Sequence, residues 1–153
     1  MAHSQAQPDA NDLKRFVWAQ RPCISNVESE LRAGLKQSHW MWFIFPQLRS
    51  LGRTQTALYF GLEDLQEAQS YYRYDPLGTR LVHCFTLVLE HWDKSAIEIM
   101  GKVDAKKLRS CASLFHLAVP EQPLFRQCLD VFYGGALCER TRTVLEEGEG
   151  LAT

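Results

Sequence analysis

DPLGTRLVHCFTLVLEHW, residues Asp75 to Trp92, decides the fold class. Leu77, Leu81, Cys84, Phe85, Val88, Leu89 and Trp92 recur with a 3.6-residue period over four turns, the signature of a helix rather than a strand. Val82 and Leu87 widen the stripe until most of the circumference is apolar, and such a helix is buried on several sides. Asp75 as N-cap and Pro76 at the first helical position mark its start. The segment is expected to be the central helix of the molecule.

Working outward, helical signals continue in both directions. Asp12 can cap a helix carrying Leu13, Phe16, Val17 and Gln20, with Pro22 just past its end. Ser25 and Glu28 have the spacing of a capping box before a helix that Gly34 can terminate. Asp64 to Tyr74 carries Leu65, Ala68 and Tyr72 on one side. After the central helix, Ser95 with Glu98 starts a short helix ending at Gly101, and Asp104 is placed to cap AKKLRSCASLFHLA, which Pro120 stops. Pro123 opens a helix that Gly134 closes, and a last one is expected from Glu139 to Glu146. No comparable series of alternating strands appears. The expectation is an all-α, compact multihelical single domain of about seven helices, spanning residues 12–146, around a buried helix near residues 76–92. Residues 1–11 read as a disordered lead-in and 147–153 as a disordered tail.

Composition excludes several classes of function. The chain has 153 residues, a net charge of -1 and 46% hydrophobic residues, so it has the material for one core and no basic excess to draw nucleic acid. No run reaches the ~20 apolar residues of a membrane helix. The lead-in MAHSQAQPDAN lacks the hydrophobic segment of a secretory leader and the arginines of a mitochondrial presequence. The five cysteines, Cys23, Cys84, Cys111, Cys128 and Cys138, are odd in number and widely spaced. They read as free thiols in a reducing compartment, which places the protein in the cytosol. The histidines form no HxxxH or HExxH pattern, and there is no Walker loop or GxGxxG. No metal and no cofactor is expected.

One other stretch stands out: SHWMWFIFPQ, Ser38 to Gln47. Its apolar run is too short for periodicity to separate helix from strand. The helical surroundings favour a short helix or an irregular core segment, with Trp40, Met41, Phe43, Ile44 and Phe45 as core mass. The polar groups at its margins, His39 and Gln47, and the indole N–H of Trp42 are the kind that converge in apolar-walled ligand pockets. Farther on, Lys106, Arg109 and Ser113 share one face of their helix, and Lys107 and Ser110 another. The plain alternative is a solvated helix face. The functional reading is a cationic patch for a phosphate or carboxylate.

SHWMWFIFPQL followed by LGR, then LG-x-RL at Leu77 to Leu81, then D-x-x-KLRS-x-x-SLF from Asp104 to Phe115, resembles the domain of unknown function 1810 family. The resemblance runs from about Leu13 to Leu145 and implies a mainly α-helical fold. It implies no activity, since the family has no settled one. Two departures are visible. Where the family usually has a His-Pro pair before LG, this chain has YRYDPLG. Where the family usually has Ser-Ser-Met-Thr, this chain has Ser110, Cys111, Ala112 and Ser113.

The function expected is therefore the binding, with processing left open, of a small anionic ligand such as a nucleotide-like metabolite. Trp42, Gln47, Arg53, Lys107, Arg109 and Ser110 would bind it. His39, whose ordinary pKa lies near neutrality, would serve as acid or base if it met Arg109 at one cavity. The alternative is a non-catalytic interaction module that uses the aromatic run as an exposed patch, with its protein partner unknown.

Overall fold

A computed structural model describes the backbone of residues 7–152 and the side chains of residues 7–148. Residues 1–6 of the expected lead-in and Thr153 of the expected tail lie outside it. Among the described residues there are ten α-helices: α1 (Lys14–Gln20), α2 (Ile24–Ala33), α3 (Met41–Ile44), α4 (Gln55–Phe60), α5 (Leu65–Arg73), α6 (Leu77–Leu89), α7 (Ala96–Met100), α8 (Lys102–Ala118), α9 (Pro123–Tyr133) and α10 (Glu139–Ala152). A 3-10 turn, Arg49–Leu51, lies between α3 and α4. The all-α expectation holds. The count exceeds the expected seven: the helical signals read outside the Ser38–Leu62 region already number eight, and α3 and α4 add two where no apolar periodicity could be read.

The cores of α6 and α8 share the centre. α6 packs on α2, α5 and α9, while α8 packs on α5, α7, α9 and α10. A continuous chain of rings joins the layers. Phe16 of α1 meets Tyr71 of α5 edge-on at 4.9 Å, Tyr71 meets Phe115 of α8 at 5.5 Å, and Phe115 meets Phe125 of α9 at 5.5 Å. Phe125 meets Phe85 of α6 at 5.0 Å, and Phe85 meets Phe45 at 5.0 Å, both edge-on. Such pairs add about 0.5–1.5 kcal/mol each to the burial of their area. The polar tips inside this core are satisfied: the Gln20 amide donates to the Phe43 carbonyl (2.7 Å) and the Tyr71 hydroxyl (3.1 Å), and accepts from Arg80 (3.2 Å).

Several expected boundaries move. α6 ends at Leu89, and Trp92 is 70% exposed rather than part of the buried stripe. The chain turns after Glu90, where the His91 ring anchors to the Leu31 carbonyl at 2.8 Å and leaves Trp92 outside. Asp75 does not cap α6: Pro76, after a cis peptide bond, holds the N-cap position without a side-chain bond. Ser25 lies inside α2, which starts one residue earlier behind Cys23, so no capping box forms there. Asp104 lies in the first turn of α8 rather than at its cap. Gly101, at φ 88°, starts that helix, and Asp104 instead bonds Lys36 at 2.8 Å. The capping box of Ser95 and Glu98 and the left-handed glycines Gly34 and Gly134 form as expected, and Asp64 caps α5 by accepting from Glu67 N–H.

At both ends the described residues run past the expected domain bounds of 12 and 146. Residues 7–11 are tied to the body: Arg49 donates to the Ala10 carbonyl at 2.6 Å, and the Tyr59 hydroxyl donates to the Pro8 carbonyl. At the other end α10 continues through the glycines to Ala152, past Glu146, because no proline stops it and glutamates favour the helix.

The segment from Gln47 to Leu62 is a closed excursion. Leu48 and Leu62 form a parallel bridge, with Leu62 N–H donating to the Gln47 carbonyl (2.9 Å) and Arg49 N–H to the Leu62 carbonyl (2.7 Å). Gly61 permits this: a Cβ there would lie 2.3 Å from the Arg49 Cα. Buried Arg15 clamps the end of α4 by donating to the carbonyls of Tyr59 (2.7 Å) and Gly61 (2.9 Å). α4, within the excursion, is capped by the Thr54 hydroxyl, which accepts from Ala57 N–H. The excursion forms one wall of a cavity against α8 and the start of α10.

Candidate functional site

The cavity has a volume of about 610 Å3, within the ~300–1,000 Å3 range of small-molecule sites. Its walls come from four parts of the chain. α3 supplies Trp42, and the excursion supplies Gln47, Leu51, Gly52, Arg53, Thr54 and Ala57. α8 supplies Val103, Lys106, Lys107, Arg109 and Ser110, and the first turn of α10 with its leading residue supplies Cys138, Glu139 and Arg140. Six of the seven residues expected at a site, Trp42, Gln47, Arg53, Lys107, Arg109 and Ser110, are thus brought to one cavity.

Their local chemistry differs from residue to residue. The Lys107 ammonium sits 5.3 Å from the centre of the Trp42 ring, a cation–π contact that orders both side chains, with Asp104 Oδ1 at 4.0 Å. Arg109 donates through Nε to the Ala136 carbonyl at 2.9 Å and lies over the Tyr133 ring. Its two terminal nitrogens make no hydrogen bond among the described residues. Ser110 is buried, and its hydroxyl bonds Thr141 of α10 at 2.9 Å. Ser113, also expected on a polar face, is fully buried; its hydroxyl donates to the Arg109 carbonyl (2.7 Å) and accepts from Cys138 N–H (2.8 Å). The two serines therefore fasten α10 to α8 and set where Arg140 enters the cavity. They are not a solvated face.

His39 does not join this group. It is exposed and is not among the residues lining the cavity, so the meeting with Arg109 that its acid–base role required is not made. The cause is Glu30 of α2. Its Oε1 accepts from Gln37 N–H (2.7 Å), Ser38 N–H (2.9 Å) and the Trp40 indole (3.0 Å), and its Oε2 from the Ser38 hydroxyl (2.6 Å) and the Asn26 amide (2.8 Å). Ser38 and Trp40 are both drawn inward to one carboxylate, and His39 between them is turned out. Burial alone raises the Glu30 carboxyl. The Ser38 hydroxyl, the N–H groups of Gln37 and Ser38 and the Trp40 indole together outweigh it and bring the group from 4.5 down to about 2.

The aromatic run does not form an exposed patch. Trp40, Met41, Ile44 and Phe45 are buried, and Trp42 and Phe43 are half-buried. Among the described residues no three His, Cys, Asp or Glu side chains gather into a group that could hold a metal ion. No helix of the described residues is long and apolar enough to cross a membrane.

Lys106, Arg140, Cys138 and Glu139 line the cavity without having been expected there. Lys106 belonged to the cationic face already visible in the sequence. Arg140 carried no local signal, because its place depends on how α10 docks.

The chain matches the family described as protein of unknown function (DUF1810) over residues 10–145. It is similar to a conserved hypothetical protein of Mycobacterium tuberculosis, solved by crystallography, at 46% identity and a TM-score of 0.87, covering 90% of this chain and 99% of the other. No curated protein matches it.

Proposed function

Given that the chain belongs to the DUF1810 family, we propose that it binds a small anionic metabolite of the nucleotide kind in the cavity between α8, α10 and the Gln47–Leu62 excursion. The observation that carries this reading is the charge of the lining. Arg53, Lys106, Lys107, Arg109 and Arg140 face Glu139 alone, in a chain whose net charge is -1. Cations gathered in a concavity with low-dielectric walls focus their field and draw anions in. The apolar strip of Trp42, Leu51, Ala57 and Val103 would take the organic part of the ligand. Gln47 offers an amide for its polar edge, and Ser110 fixes the wall through Thr141. His39 has no role in this reading, and catalysis is not part of it. The five free cysteines, three of them buried, fit a reducing, cytosolic setting.

The test is a thermal-shift panel of nucleotides, dinucleotides and sugar phosphates on the purified protein and on Arg53→Ala and Arg140→Ala. A ligand at ~100 times its Kd adds ~2.7 kcal/mol, a rise of about 5–10 °C for a chain of this length. The expected result is a rise with phosphorylated compounds that both variants reduce. No rise across the panel, or a rise that both folded variants keep in full, refutes the proposal.

A further inference from the structure

If the cavity binds anions, as proposed above, its cations also set how much charge the ligand must bring. Glu139, the one lining carboxylate, is already neutralised: both of its oxygens lie 3.1 Å from Arg142 Nη2. Lys107 is only partly compensated, since Asp104 is 4.0 Å from it and is held more closely by Lys36 at 2.8 Å. Among the described residues Arg53, Lys106 and Arg140 have no acidic group within 4.0 Å, and the terminal nitrogens of Arg109 are free.

A phosphate monoester carries a charge of about -1.5 to -2 at neutral pH, which leaves half of these four cations facing one another. A diphosphate ester carries about one charge more and presents it over a longer span. The cations also come from more than one wall of the cavity. Arg53 stands before α4, Lys106 and Arg109 on α8, and Arg140 in the first turn of α10, so three separate elements deliver them. A bare diphosphate would leave most of a 610 Å3 cavity and its apolar strip unused. We infer that the cavity selects a diphosphate ester, with its diphosphate among Arg53, Lys106, Arg109 and Arg140 and its organic body along Trp42, Leu51, Ala57 and Val103.

Calorimetric titration of the intact protein with adenosine, AMP, ADP, inorganic phosphate and pyrophosphate, at fixed ionic strength and with divalent ions chelated, tests this. The expected result is ADP about tenfold or more tighter than AMP, and pyrophosphate tighter than phosphate by a similar factor but weaker than ADP. The double variant Arg53→Gln with Arg140→Gln, shown folded by its melting transition, should bring the ADP to AMP ratio below about three. Equal binding of AMP and ADP, with both weakened in the double variant, overturns this inference and leaves the anion reading standing. Pyrophosphate as tight as ADP overturns the ester and shows a site for the bare ion. Adenosine as tight as ADP, or no binding of any probe, overturns the anion reading and this inference with it.

Discussion

Replacing Glu30 with glutamine tests how much stability one buried carboxylate supplies through the hydrogen bonds it accepts. The folded carboxyl titrates near 2, against 4.5 for the same group when free. A carboxyl depressed in the folded state stabilises the protein above its unfolded pKa, and that stability is lost as the pH falls from about 4.5 toward 2. The full shift corresponds to about 3 kcal/mol, and about 2 kcal/mol of it is gone by pH 3. Glu30→Gln cannot titrate, so its stability lacks this part of the slope. At neutral pH it starts lower. The amide oxygen of the substituted side chain can still accept from Gln37, Ser38 and Trp40, but its amide nitrogen faces the Asn26 amide, which sits 2.8 Å from Oε2 of the native carboxylate. Losing that bond and the charge on the others costs about 2–3 kcal/mol. Urea unfolding of both proteins at pH 7, 5, 4 and 3 reads the difference. The two curves of stability against pH should converge by about 2 kcal/mol between pH 5 and 3. Parallel curves would refute the assignment of the acid-sensitive stability to Glu30.

Close packing and thiol burial each have a measurable consequence. A Cβ on Gly78 would lie 1.8 Å from the Tyr72 carbonyl oxygen, and backbone cannot swing aside as a side chain can. Gly78→Ala should therefore cost about 3 kcal/mol or more in urea unfolding, and an unchanged midpoint would show that α6 does not start so close to α5. Burial pushes the Cys84 and Cys128 thiols up to about 12 and raises Cys111 as well, so these three should resist a thiol reagent at pH 8 in the native protein. Cys138, half-buried at the cavity, should supply the fastest phase. That phase should vanish in Cys138→Ser and slow when pyrophosphate is present. If pyrophosphate leaves its rate unchanged while binding, the ion occupies another place.

The parts of the fold legible in the sequence are those governed by local rules. Gly34, Gly134 and the Ser95–Glu98 box act over three or four residues, and each does in the structure what its spacing predicts. Ser25 and Asp104 obey the same pattern and do something else, because each has a competitor within reach. α2 begins at Ile24, which puts Ser25 inside the helix, and Asp104 is drawn to Lys36, far away in sequence. α4 is invisible in the sequence for a different reason. It is six residues long with none fully buried, so it has no apolar stripe to read. It exists because Thr54 caps it and a bridge and Arg15 close the chain around it.

The site divides along the same line. Lys106 with Arg109, and Lys107 with Ser110, are legible as pairs because helical spacing places each pair on one face of α8. That they face Arg53 and Trp42 is not legible. It requires the excursion to close at Leu48 and Leu62, and that closure depends on Gly61 coming within 2.3 Å of Arg49 at the position of a Cβ. Arg140 depends on Ser110 and Ser113, whose hydroxyls read as solvent-facing in the sequence and act as buried fasteners in the fold. His39 shows the converse. Its chemistry and its place beside an aromatic run marked it for a site, yet the five hydrogen bonds that Glu30 accepts from Asn26, Gln37, Ser38 and Trp40 leave it no inward path. Residue type told which side chains could meet an anion. Long-range closure, by one glycine, one carboxylate and two serines, decided which of them line the cavity.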